Sequence, residues 1–148
     1  MKIFEDEFMD VQAECVARCL EYYGKETGDL IYIYMSNEDN WITFDSFIRR
    51  NNQIVHKEDV GRETEDASQF LLDGCFYVEE VAKVCKTYGK AIPCEMRLRY
   101  STDTGSLEAE YKYDRQCDLE NHIIEDVIFN NWFEEEKKAL EGIEKDAK

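Results

Sequence analysis

Six cysteines, two histidines and 34 Asp and Glu are the side chains of this 148-residue sequence whose types could do chemistry. Cys15 and Cys19 stand at i and i+4, a spacing that puts two thiols on one helical face within reach of a shared metal. A zinc site needs four ligands with paired short spacings, and the sequence has no second Cys or His pair. Nucleophilic catalysis needs Ser or Cys beside a base that a third group orients. The bases on offer are His56, after a strand pattern, and His122, at the start of a helical one, and no nucleophile-elbow motif accompanies either. Both read as structural or surface residues. The seven glycines are scattered singly, so no glycine-rich loop stands between a strand and a helix to cradle phosphate. Carboxylate pairs such as Asp114 with Asp118 or Glu125 with Asp126 are unavoidable at this acid content and carry no specificity for acid–base work. The turn Asn37-Glu38-Asp39-Asn40 lacks the twelve-residue spacing of a calcium loop. The expectation is a protein that is not an enzyme and holds no cofactor or metal.

Charge narrows the partners. The 34 acids stand against 18 Lys and Arg, a formal charge of −16 and a pI near 4.5. Free DNA or RNA needs cationic side chains to displace its counterions and would repel this surface. A basic protein is the complementary case, because a field of opposite sign speeds its capture. No run approaches the 18 apolar residues of a membrane span, and the acidic start from Met1 to Asp10 is unlike the basic head of an export signal. The expected compartment is therefore the cytoplasm, where the six cysteines stay reduced and those in helical patterns serve as small buried hydrophobes. With 43% apolar and 13% aromatic residues, the chain can pack a core despite its charge.

One Pro, no Gly/Ser-rich stretch and no repeat leave no linker, so residues 1–148 read as one domain. Phe4, Phe8, Val11, Cys15, Cys19 and Tyr22 recur at three or four, a helix from about Phe4 to Tyr23 stopped by Gly24. Leu30 to Met35 and Trp41 to Ile48 are β-branched and aromatic around the turn-forming Ser36-Asn37-Glu38-Asp39-Asn40, a hairpin, with a short third strand at Gln53–His56. A second helix spans about Glu65 to Tyr88 on the stripe Leu71, Cys75, Val78, Ala82 and Cys85, weakened by Gly74. Two alternating runs around Thr102-Asp103-Thr104-Gly105 pair Tyr100 with Leu107 and Leu98 with Ala109, setting Arg99 against Glu108 and Arg97 against Glu110. A third helix is expected from Asp118 as N-cap through Ile123, Ile124, Val127, Ile128, Trp132 and Leu140. The fold class is α+β: an antiparallel sheet of four to five strands with three helices, in the order α-β-β-(β)-α-β-β-α. Segments 1–29, 63–88 and 114–148, which hold the helices, carry −15, and the strand segments between them −1.

The surface then holds the functional signal. Pairing Met35 with Ile42 and Ile33 with Phe44 puts Tyr32, Tyr34 and Trp41 on the opposite face with Thr43 and Asp45. Aromatics beside acids are what interfaces use as anchors, unless a helix covers that face. The segment with the largest acidic excess adds Asp114, Asp118, Glu120, Glu125, Asp126, Glu134, Glu135 and Glu136 as candidate partner contacts. Gln53–His56, as an edge strand, could pair across a dimer. An alternative is a small-molecule or peptide-binding adaptor with its pocket between sheet and helices, the charge serving solubility.

In layout the chain resembles the YezG-like immunity proteins, antitoxins that bacteria keep beside polymorphic nuclease toxins. The resemblance runs through the first helix, Leu30-Ile31-Tyr32-Ile33-Tyr34, Trp41-Ile42-Thr43-Phe44, the central helix, Met96-Arg97-Leu98-Arg99-Tyr100, Asp103-Thr104-Gly105 and Tyr111-Lys112-Tyr113-Asp114. Its most telling part is a sheet hairpin running into a Tyr-Asp pair and then an acidic, aromatic-bearing helix, here Asp118 to Trp132. It implies stoichiometric inhibition of a cognate toxin's catalytic domain, often a DNase, with no contact to nucleic acid or membrane by this chain itself.

Overall fold

The computed structural model describes residues 3–146; Met1, Lys2, Ala147 and Lys148, included in the expected single domain, lie outside the described residues. The helices are α1 (Phe4–Tyr23), α2 (Thr64–Thr87) and α3 (Glu125–Asp146), and the strands β1 (Leu30–Glu38), β2 (Trp41–Arg50), β3 (Gln53–His56), β4 (Glu95–Ser101) and β5 (Leu107–Lys112). The strands form one antiparallel sheet in the order β3-β2-β1-β4-β5. The α+β class and the element order are those expected.

Both hairpins on the β2 side turn through two residues with positive φ, Asp39-Asn40 (53° and 65°) and Asn51-Asn52 (53° and 59°). Asn and Asp tolerate this backbone, and its twist matches that of the flanking strands. The first hairpin is therefore tighter than a five-residue turn: β1 continues to Glu38, and Met35 pairs with Phe44 and Ile33 with Ser46. This corrects the expected register by two residues. A slip of two keeps every side chain on its face, so Tyr32, Tyr34 and Trp41 still share one side of the sheet. The β4–β5 register is as read from the sequence, including Arg99 opposite Glu108 and Arg97 opposite Glu110.

α1 and α2 cover one face. Phe8, Val11, Cys15, Cys19 and Tyr22 from α1 and Phe70, Val78, Val81 and Cys85 from α2 close over Ile31, Ile33, Met35, Phe44, Ile48 and Leu98. Arg18 ties the two helices through Asp73 at 2.7 Å, and the buried Gln12 accepts from the Tyr111 hydroxyl at 3.0 Å, holding α1 to β5. α2 crosses the sheet closely enough that a Cβ on Gly74 would overlap the Phe44 ring, so this helical glycine is required by packing.

α3 covers the other face, over β2 and β3, and overturns two of the expected anchors. Tyr32 and Tyr34 are 2% and 0% exposed, packed with Phe47 beneath Ile128, Phe129, Trp132 and Phe133. Trp132 meets the Phe47 ring at 5.0 Å and the Tyr32 ring at 5.7 Å, both edge-on. These tyrosines are core, because the apolar stripe of an amphipathic helix must be buried and this half of the sheet is where α3 buries it. Asp45 on the same face is half-buried: the 4%-exposed Lys57 reaches it at 2.8 Å and pairs with Glu58 as well. His56 stacks on Phe133 at 3.7 Å, a packing role.

Candidate partner-binding groove

α3 begins later than the sequence suggested, and this opens the site. Asp118 caps a short 3-10 turn, Leu119–Asn121, by accepting from the Asn121 N–H, and does not start α3. His122 then takes φ 58° and Asp118 and Ile123 bond to each other through both backbone groups at 2.8 Å, closing a small knot before Glu125. Asp is favoured at such a cap because its short carboxylate reaches the backbone donors of the following turn. The residues expected as the first turns of a helix thus form a loop beside the β1–β2 hairpin tip.

The hairpin tip holds that loop. Glu38 is 6% exposed and accepts from the Gln116 N–H at 3.0 Å and the Cys117 N–H at 3.2 Å. Asp39 pairs with Arg115. Between tip and loop runs a groove of about 420 Å³ walled by Trp41, Leu119 and Ile124 and edged by Asp39, Arg115, Glu125 and Asp126. Trp41, opposite Glu38 on β2, is 68% exposed, and Leu119 is 70% exposed. Ile123, Ile124 and Val127 are 36%, 40% and 38% exposed, which makes this end of the molecule apolar as well as acidic.

Cys117 lies in the groove lining. Burial pushes the Cys117 thiol up to about 12, helped by its hydrogen bond to Glu125 and the charges of Glu125 and Glu38. A thiol this weakly acidic keeps its proton and donates to the carboxylates, where a nucleophile would have to be a thiolate. All six cysteines are free. Among the described residues no group of three or more His, Cys, Asp or Glu is placed to hold a metal ion, and no helix is long and apolar enough to cross a membrane.

The sequence-predicted contacts divide sharply. Trp41, Glu125 and Asp126 line the groove, and Asp114, Asp118 and Glu120 are exposed on the chain that leads through its wall. Tyr32 and Tyr34 are buried, as described, and burial raises both hydroxyls, Tyr32 to about 12. Glu134 and Glu135 are exposed on α3, but Glu136 is turned inward: it accepts from the Trp132 Nε1 at 3.2 Å and pairs with Arg99. Sequence reasoning missed Leu119, Glu38 and Asp39. Leu119 gave no signal, since at i and i+4 with Ile123 it fits the expected helix, and Glu38 and Asp39 showed only as two acids in a hairpin turn; the tertiary approach of residues 115–126 to that turn brings them together. The acids of α1 and α2 lie on one side of the sheet and those of α3 on the other, so total charge marks no face. The groove does, because there exposed apolar side chains stand beside Glu125, Asp126 and the Asp39–Arg115 pair. No protein-family model matches the chain, and no curated protein matches it.

Proposed function

We propose that this chain is an immunity protein that binds and neutralises a basic toxin, a nuclease domain, and that the Trp41 groove is part of the surface it uses. The observation that carries the reading is an indole two-thirds exposed in a groove that Glu125 and Asp126 edge on one side and the Asp39–Arg115 pair on the other. A tryptophan left this open forgoes burial, and interfaces draw their strongest anchors from such residues. A nuclease presents Lys and Arg around its cleft to hold phosphates, and these complement Asp126, Glu125 and the exposed Asp114, Asp118 and Glu120 nearby. The resemblance in layout to YezG-like immunity proteins points the same way. The adaptor alternative puts a ligand between sheet and helices: against α2 the space lined by Met35, Val78, Val81 and Met96 measures about 10 Å³, room for about one water, and the larger spaces against α3, about 260 and 380 Å³, are lined mainly by polar and charged side chains such as Arg49, Arg99, Glu136, Gln53 and Glu141.

The test takes the products of the neighbouring reading frames, among which the proposal expects a basic toxin domain. Equimolar wild-type chain should abolish its nuclease activity, and association should slow as salt rises. Trp41→Ala should weaken binding about 30-fold, equivalent to about 2 kcal/mol at an anchor. An uninhibited toxin, or turnover of any substrate by the chain itself, overturns the proposal.

A further inference from the structure

β5 is the last strand of the sheet, and its outer backbone meets no other strand. Its direction of bonding can be followed from the loop that precedes it. The Ser101 N–H donates to the Ser106 carbonyl at 2.9 Å, while the next residue, Thr102, donates to Asp29 beside β1 at 3.0 Å. Antiparallel ladders alternate, so through the pairs Arg99 with Glu108 and Arg97 with Glu110 the odd residues of β4 bond β5. Glu108 and Glu110 therefore aim their backbone groups inward at β4, and Leu107, Ala109 and Tyr111 aim theirs outward. Among the described residues nothing hydrogen-bonds to those three outward backbone sites.

The strand is six residues long, in unbroken register and without Pro, and Glu108, Ala109 and Glu110 are exposed. The other edge, β3, is four residues long with α3 packed beside it. Natural sheets blunt an edge of the first kind with charge, and here the charge is two carboxylates. Their cross-strand arginines do not neutralise them. Arg97 pairs with Glu95 at 3.0 Å and lies over the Trp132 ring at 5.2 Å, and Arg99 pairs with Glu136. A second copy adding antiparallel about Ala109 would oppose Glu108 to Glu110 twice, an arrangement that like charges destabilise. A strand carrying cations at the same positions meets the opposite situation.

We infer that β5 is a strand-addition edge for an extended segment of a basic partner, with Lys or Arg opposite Glu108 and Glu110 and apolar residues between them to lie along Leu107 and Tyr111. Main-chain bonds supply the affinity and the alternating cations the selectivity. The edge shares no residue with the Trp41 groove and stands whether or not the partner is a toxin.

The probe is a capped octapeptide of alternating Lys and Val, followed by amide exchange on the full chain. At about ten times its dissociation constant it should slow exchange at Leu107, Ala109 and Tyr111 about tenfold, and an alternating Glu and Val peptide should not. Ala109→Pro removes an outward N–H and should abolish the protection. Because a proline can disturb the strand itself, Glu108→Lys with Glu110→Lys provides the second arm: the backbone stays intact and the preference should pass to the Glu peptide. Protection confined to other residues, or an unchanged preference in the charge-swapped variant, overturns the inference. Sedimentation should show wild type as a monomer; a dimer undone by Ala109→Pro would make a second copy the occupant and overturn the choice of a basic one.

Discussion

The two tryptophans test the division between core and contact surface directly. Trp132 is 1% exposed, meets the Phe47 and Tyr32 rings at 5.0 and 5.7 Å, lies under the Arg97 guanidinium and donates to Glu136. It is the largest side chain joining α3 to the sheet. Truncating a buried Trp to Ala costs about 3–5 kcal/mol through lost transfer energy and the cavity left behind. Glu136 also loses its indole donor, so Trp132→Ala should fall near the upper end of that range. For a chain of this length about 5 kcal/mol corresponds to a melting temperature lower by about 10–20 °C. Trp41→Ala, by contrast, removes an indole that is 68% exposed and should change stability by less than about 0.5 kcal/mol. Urea unfolding of both variants, followed by far-ultraviolet circular dichroism so that the lost fluorophore does not matter, measures the two on one scale. Equal losses, or a Trp132→Ala cost under about 1.5 kcal/mol, would refute the placement of α3 over Tyr32 and Phe47.

Gly74→Ala should lower the melting temperature: the added Cβ overlaps the Phe44 ring, and overpacking of about 1–3 kcal/mol exceeds the roughly 1 kcal/mol gained in helix propensity. A higher melting temperature would contradict it. Asp29 is held below the usual carboxylate range chiefly by its hydrogen bond from Arg49. A depressed carboxylate stabilises the fold above its unfolded value and loses that contribution in acid. Asp29→Asn should therefore be less stable than wild type at pH 7, with the gap closing as pH falls below about 4. A gap unchanged at pH 2.5 counts against the pairing. Among the α3 acids, Glu136→Gln should cost about 1–2 kcal/mol by weakening its bonds to Trp132 and Arg99, whereas Glu134→Lys with Glu135→Lys should leave stability within about 0.5 kcal/mol and slow capture of a basic partner. Equal thermal shifts for the two sets would erase that distinction.

The elements themselves were legible because each rests on a local pattern. The helical stripes of α1 and α2, the alternation of β4 and β5 and the Asn and Asp turns follow from side-chain periods and backbone tolerance, which neighbouring residues alone dictate. Even the slip in the first hairpin preserved the faces, since the period of a strand is two. The start of α3 was not legible. Ile123, Ile124 and Val127 continue the helical stripe on paper, but Asp118 captures the backbone of a tighter turn and Glu38 pins Gln116 and Cys117 to the hairpin tip.

Sequence alone settled the local elements, their pairing in β4–β5 and the acidity of the helical segments, because those depend on residues close along the chain. Which aromatics are core and which are surface was decided only by tertiary structure. Tyr32, Tyr34 and Trp41 are indistinguishable by type and period, and they differ in fate because α3 lies across the first two and stops short of the third. The same holds for charge. Glu134, Glu135 and Glu136 are consecutive and identical, yet only Glu136 stands where Arg99 and Trp132 reach it, since one step along a helix turns a side chain by about 100°.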